Sequence, residues 1–152
     1  PTELFGAEGD LIREKGGEYG ATTGRPRRCG WFDAVSARRA VMLNGVSGLA
    51  VMKLDVLDGF ETIDVCVKYK MGRKVYTDPP LALHDLSRCE PVYERLEGWK
   101  GSVRDVREFR DLPEGAKRYL RRLEELVGVP ISLISTGAER DSTIVVKNPF
   151  DV

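Results

Sequence analysis

Asp111-Leu-Pro-Glu-Gly-Ala-Lys-Arg-Tyr-Leu-Arg-Arg-Leu-Glu-Glu-Leu-Val-Gly-Val-Pro-Ile-Ser-Leu-Ile-Ser-Thr-Gly137 reads as a helix that runs into a buried strand. Proline is favoured at the first helical position, so Pro113 marks the start, and Ala116, Tyr119, Leu120, Leu123, Leu126 and Val127 recur at helical spacing. Gly128 and Pro130 end the helix. Ile131 to Ile134 is then a short apolar run, too short for a second helix, that opens into Ser135-Thr136-Gly137. Working outward, Thr143 to Lys147 predicts a last short strand. Upstream, Asp33 is a natural N-cap for a helix over Ala34 to Leu43, with Gly45 or Gly48 to stop it. Leu49 to Leu54 predicts a buried strand interrupted only by Lys53 and bounded by the Asp58-Gly59 turn. From Thr62, the residues Ile63, Val65, Val67 and Tyr69 alternate with polar ones, and Gly72 precedes a partner run through Val75 and Tyr76, which predicts a hairpin. Gly6 to Trp31 is glycine-rich and reads as loop, and Asp78 to Asp111, with Pro79, Pro80 and Pro91, as mostly irregular connection. Helix and strand alternate, so the class is α/β, with mixed strands, a β-hairpin and two main helices.

At 152 residues the chain has the size of one domain and can bury a core unaided. Its 24 basic and 24 acidic side chains cancel, which argues against nucleic acid or an anionic membrane as partner. Cys29, Cys66 and Cys89 are odd in number and far apart, so neither a disulfide framework nor a zinc site is suggested and a cytoplasmic setting is expected. No apolar run is long enough to span a bilayer. The chain opens on Pro1 rather than methionine, as an internal position of a longer protein would.

Three short stretches carry chemistry. Gly20-Ala-Thr-Thr-Gly-Arg-Pro-Arg-Arg-Cys-Gly-Trp31 sets two hydroxyls and three guanidiniums on one glycine-rich loop, and arginine forks match carboxylate and phosphate groups. Lys53-Leu54-Asp55 lies at a predicted strand end, where ligands bind in open α/β sheets. A carboxylate there accepts from both the N1 hydrogen and the exocyclic amine of guanine, and a lysine stem can cover the base; a charged pair capping a strand is the plainer alternative. Ser135-Thr136-Gly137 allows a ring to approach the backbone, as an ordinary turn also would. His84 has no second histidine or nucleophile beside it and reads as a surface residue, Cys66 as an inert packed thiol, and the pairs Arg38-Arg39 and Arg121-Arg122 as solvated helix faces.

Taken together, Glu18-Tyr-Gly-Ala-Thr-Thr-Gly-Arg-Pro-Arg-Arg-Cys-Gly-Trp31, Lys53-Leu-Asp-Val-Leu-Asp-Gly59, Val129-Pro-Ile-Ser-Leu-Ile-Ser-Thr-Gly137 and Asn148-Pro-Phe-Asp151 resemble the adenylosuccinate synthetases, in order and spacing, over the whole chain. The resemblance implies the C-terminal portion of a P-loop-like GTP-dependent ligase fold, with residues 1–152 as a substrate- and guanine-recognition part. It implies transfer of the GTP γ-phosphoryl group to the 6-oxygen of IMP and displacement of that phosphate by the amine of L-aspartate, with Mg2+ assisting, in a homodimer. Ala21, Thr22, Thr23, Gly24, Arg25, Pro26 and Arg27 would form the substrate loop, with Thr22, Thr23 and Arg25 facing the aspartate carboxylates, Arg25 also reaching IMP and Arg27 the GTP side. Lys53, Leu54, Asp55, Ser135, Thr136 and Gly137 would border guanine. The family's phosphate loop, general base, catalytic histidine and metal ligands would lie upstream, so no catalytic residue is expected in this chain and the chain alone is expected to be inactive. A non-catalytic nucleotide-binding or scaffold module is the alternative.

Overall fold

The computed structural model describes residues 1–148, so the Pro149-Phe150-Asp151 ending of the last quoted segment lies outside the described residues. Two sheets organise the chain. In one, β3 (Thr62–Met71) pairs along nearly its full length with antiparallel β5 (Glu90–Glu97), while its other edge takes parallel β1 (Phe32–Asp33) at Val65 and Cys66 and antiparallel β4 (Lys74–Tyr76) at Tyr69 to Met71. In the other, β2 (Leu49–Val51) runs parallel to β6 (Ile131–Ser135), which pairs antiparallel with β7 (Thr143–Val145). Helix α2 (Ala34–Asn44) packs on β3 and on α4 (Glu114–Val127). Its cap is the predicted one, since the Asp33 carboxylate accepts from Ser36 N at 3.0 Å and Gly45 closes the far end in the left-handed region.

Ala116, Tyr119, Leu120, Leu123 and Val127 of α4 are buried, as the helical spacing requires, and Leu126 packs against the core from a half-buried position. This face meets Ile131, Ile134 and Ile144 of one sheet and Ile63 and Val65 of the other. The hairpin of β3 with β4 is formed as expected. A smaller cluster of Val35, Cys66, Tyr69 and Cys89 lies beneath α2. Burial pushes the Cys66 thiol up to about 11, which leaves it the inert group its strand position suggested.

Four expectations are corrected. Residues 7–16 form a helix, α1 (Ala7–Gly16), rather than loop. Gly9 sits inside it because a Cβ there would stand 2.3 Å from the Leu4 carbonyl oxygen, so close packing rather than a turn explains that glycine. The stretch from 78 to 111 holds β5 and a single-turn helix, α3 (Leu83–Leu86). The alternation of β5 is masked by charges on both faces and by Pro91, which an edge strand tolerates. The strand from Leu49 stops at Val51, and Leu54–Leu57 is a 3-10 turn. Pro113 is the N-cap of α4 rather than its first helical residue.

Arg122 is also not simply a solvated residue. Its Nε and one terminal nitrogen donate to the two carboxylate oxygens of Glu94 at 2.8 Å each, clamping α4 to β5. The guanidinium holds the Glu94 carboxyl below its ordinary value of 4.5, against a smaller opposing effect of burial. The clamp therefore contributes stability above that ordinary value and loses it as pH falls through the lowered one. Glu94→Gln is expected to lower the unfolding midpoint at neutral pH and to converge with the parent protein as the pH falls through the lowered value and the parent carboxylate protonates; parallel thermal melts from neutral to acid pH check it, and equal midpoints at neutral pH would refute the clamp.

Candidate functional site

The parallel pairing of β2 with β6 aligns Val51 with Ile134, so the segments that follow both strands emerge at one sheet edge. This is the strand-end position at which α/β folds hold ligands. A cavity of about 750 Å3 opens there, and its lining includes Lys53, Asp55, Arg104, Arg107, Gly137 and Ser142. Its size falls in the range of small-molecule sites.

Lys53 turns the chain away from β2 with φ 59°, the left-handed region, the sole non-glycine residue there among the described residues. Such a conformation costs roughly 1–2 kcal/mol for a side chain with a Cβ. Leu54, only 1% exposed, anchors the turn in the core. The Lys53 ammonium donates to the Gly16 carbonyl at 2.7 Å and to Glu18 Oε1. The lysine head is thereby fixed at the cavity wall. Asp55 accepts at Oδ2 from an Arg104 terminal nitrogen at 3.2 Å, whereas its Oδ1 is buried with no partner among the described residues. A buried acceptor left unpaired costs about 1–3 kcal/mol, more when charged. The position is therefore held by the surrounding fold.

The second segment divides differently from expectation. The Ser135 hydroxyl donates to the Gly137 carbonyl at 2.7 Å, and the Thr136 hydroxyl is shared between the carbonyls of Val106 and Ser142, both at 3.2 Å. Both side chains are buried and shape the turn. Gly137 alone of the three lines the cavity. A Cβ on it would stand 3.1 Å from Ser142 Oγ and 3.8 Å from Arg104 Cγ, so a side chain here would press on Ser142 and lie in ordinary contact with Arg104.

The loop from Ala21 to Arg27 is exposed throughout, and none of its residues lines this cavity. Its backbone closes through a bridge between Tyr19 and Pro26, with Gly20 N donating to the Arg25 carbonyl and Gly24 N to the Gly20 carbonyl, each at 2.8 Å. Thr23 Oγ1 accepts from Arg25 N at 3.4 Å, and the side chains of Thr22 and Arg25 make no hydrogen bond or ion pair among the described residues. Arg27 is tied inward, donating to Glu18 Oε2 at 3.0 Å.

Glu18 thus receives Lys53 on one oxygen and Arg27 on the other, joining the cavity wall to the loop. Lys53 first and Arg27 second hold its carboxyl below the ordinary range. Neither Glu18 nor Arg104 was singled out from the sequence. Glu18 stands inside the Glu18 to Trp31 segment but reads as one more surface acid, and Arg104 lies in a stretch without any period. His84 is exposed, and its ring lies 3.3 Å from the carboxylate of its neighbour Asp85. Among the described residues no group of three or more His, Cys, Asp or Glu side chains gathers where it could hold a metal ion. No helix among them is long and apolar enough to cross a membrane.

Glu18→Gln keeps the size of the side chain and removes the charge that holds both cations. Amide hydrogen exchange is expected to accelerate around Arg27 and around Lys53 together, because the same carboxylate holds both side chains. Acceleration in the loop alone would show that Glu18 does not join the two segments.

A profile of the adenylosuccinate synthetase family matches residues 1–144. Adenylosuccinate synthetase of Caldanaerobacter subterraneus subsp. tengcongensis is 55% identical over 148 residues, which are 97% of this chain and 35% of the relative. That of Trichlorobacter lovleyi is 54% identical over 150 residues, 99% of this chain and 35% of the relative. A solved structure described as fully ligated adenylosuccinate synthetase from Plasmodium falciparum superposes with a TM-score of 0.90 at 39% identity, covering 96% of this chain and 35% of that one. The chain spans about a third of the length of the relatives it matches. The match establishes the family and does not support the C-terminal position expected from the sequence. By sequence and by fold, the chain belongs to the adenylosuccinate synthetase family.

Proposed function

We propose that this chain is the guanine- and substrate-recognising part of a GTP-dependent ligase that joins IMP and L-aspartate into adenylosuccinate, a step of purine nucleotide synthesis. The observation that carries the reading is the unpartnered, buried Oδ1 of Asp55 on the wall of a cavity of about 750 Å3. Guanine presents two adjacent N–H donors, N1 and the exocyclic amine, and Asp55 supplies the acceptors they require. Lys53 has its ammonium fixed on Gly16 and Glu18, which leaves its methylene stem to lie along the base. Gly137 lets the opposite face of the base come against the backbone.

Thr22, Thr23 and Arg25 supply the exposed donors for a dicarboxylic substrate. Each hydrogen bond to a charged group contributes about 1.5–3 kcal/mol, so two or three of them select L-aspartate over simpler amines. Arg25 also serves IMP. Arg27, held by Glu18, faces the GTP side and gives the loop its link to the nucleotide cavity. When bound, Mg2+ would assist phosphoryl transfer from residues beyond this chain. Phosphoryl transfer relies on positioning and charge stabilisation, and the groups named here position; the isolated chain is therefore expected to show no turnover. A cytoplasmic homodimer completes the reading.

Asp55→Asn in the full-length enzyme exchanges one acceptor for a donor against the base. The preference for GTP over ITP, which lacks the exocyclic amine, is expected to fall by roughly a hundredfold; an unchanged ratio of kcat/KM values would remove guanine from the cavity. Arg25→Leu is expected to raise the KM for aspartate by roughly ten- to a hundredfold with little change in melting temperature. A change in thermal stability alone would make the loop structural.

A further inference from the structure

Arg104 spans the cavity from one recognition segment to the other. Its Cγ lies 3.8 Å from where a Cβ on Gly137 would stand, and its terminal nitrogen reaches Asp55 Oδ2 at 3.2 Å. The base, on the reading above, occupies this same interval between Gly137 and Asp55. The guanidinium also resembles the donor edge of guanine, since both present adjacent N–H groups on a planar, nitrogen-rich frame to a carboxylate. Yet the arginine makes only one such bond to Asp55 and leaves Oδ1 without a partner. Its side chain is 69% exposed, whereas that of Asp55 is 11% exposed. The contact is a loose cover over a nearly buried acid.

The backbone that carries Arg104 is firm. Asp58 accepts from Val103 N at 3.0 Å and from Trp99 Nε1 at 2.8 Å, and Arg104 N donates to Ser102 Oγ at 3.1 Å. Only the side chain is free to swing. Resting on the guanine reading of the cavity, we propose that Arg104 is a placeholder: in the ligand-free protein its guanidinium occupies the base slot on Asp55, and a guanine nucleotide displaces it to take both carboxylate oxygens.

A contact made only in the empty state opposes binding in proportion to its own strength. Exposed ion pairs of this kind correspond to about a two- to fivefold equilibrium factor. Arg104→Met keeps the stem and removes the donors. In the full-length enzyme it is expected to tighten mant-GDP and mant-IDP by the same factor of about two to five, because the arrangement lost belongs to the free protein that both nucleotides share. Weaker or unchanged mant-GDP binding would overturn the placeholder, as would a GDP-bound crystal structure in which Arg104 still holds Asp55 Oδ2. Asp55→Asn, measured alongside, separates the two readings. If it leaves the ratio of mant-GDP to mant-IDP affinity intact, the guanine assignment itself fails; if it collapses that ratio while Arg104→Met fails to tighten either nucleotide, only the placeholder does.

Discussion

The parallel contact between β2 and β6 is the constraint on which the candidate site depends. Lys53 and Gly137 are 84 positions apart in the chain, and what brings them to one wall is that two short strands run the same way and end side by side. Parallel strands require a long connection between them, and here that connection contains β3, β4, β5 and α4. The intervening chain is therefore a set of supports as well as a link. It supplies Asp58 and Trp99, which fix the backbone before Arg104, and α4, whose apolar face is the floor under β6.

On that frame the charged groups divide into those already committed and those left open. Glu18, Lys53 and Arg27 satisfy one another, while among the described residues the side chains of Thr22 and Arg25 make no hydrogen bond or ion pair and Asp55 keeps an unpaired oxygen. The committed groups hold one another in place, whereas a buried acceptor left unpaired costs free energy that the surrounding fold must offset.

Much of this was legible in the sequence. Asp33 capping α2, the alternation of β3 and the periodic face of α4 follow from local chemistry, and the structure shows each of them. The segments after β2 and β6 could be named as site candidates because strand ends are where such folds bind. What could not be read was tertiary in origin. The helix from Ala7 to Gly16 is hidden by glycines that serve close packing, and β5 is hidden by charged side chains that pair across the sheet and with α4, as Arg95 does with Asp64 and Arg122 with Glu94. The commitment of Ser135 and Thr136 to their own turn, the burial of Leu54 and the reach of Arg104 depend on where distant backbone lies. Residue type carries no trace of these.

Lys53 also limits how the protein could be made more stable. Its left-handed backbone would suit glycine, and a design aimed at stability alone would select that exchange to relieve strain. The gain would sever the ammonium from Gly16 and Glu18 and with it the mechanical link from cavity to loop. At this position ease of the backbone and the tie between cavity wall and loop are in opposition, and the lysine keeps the tie.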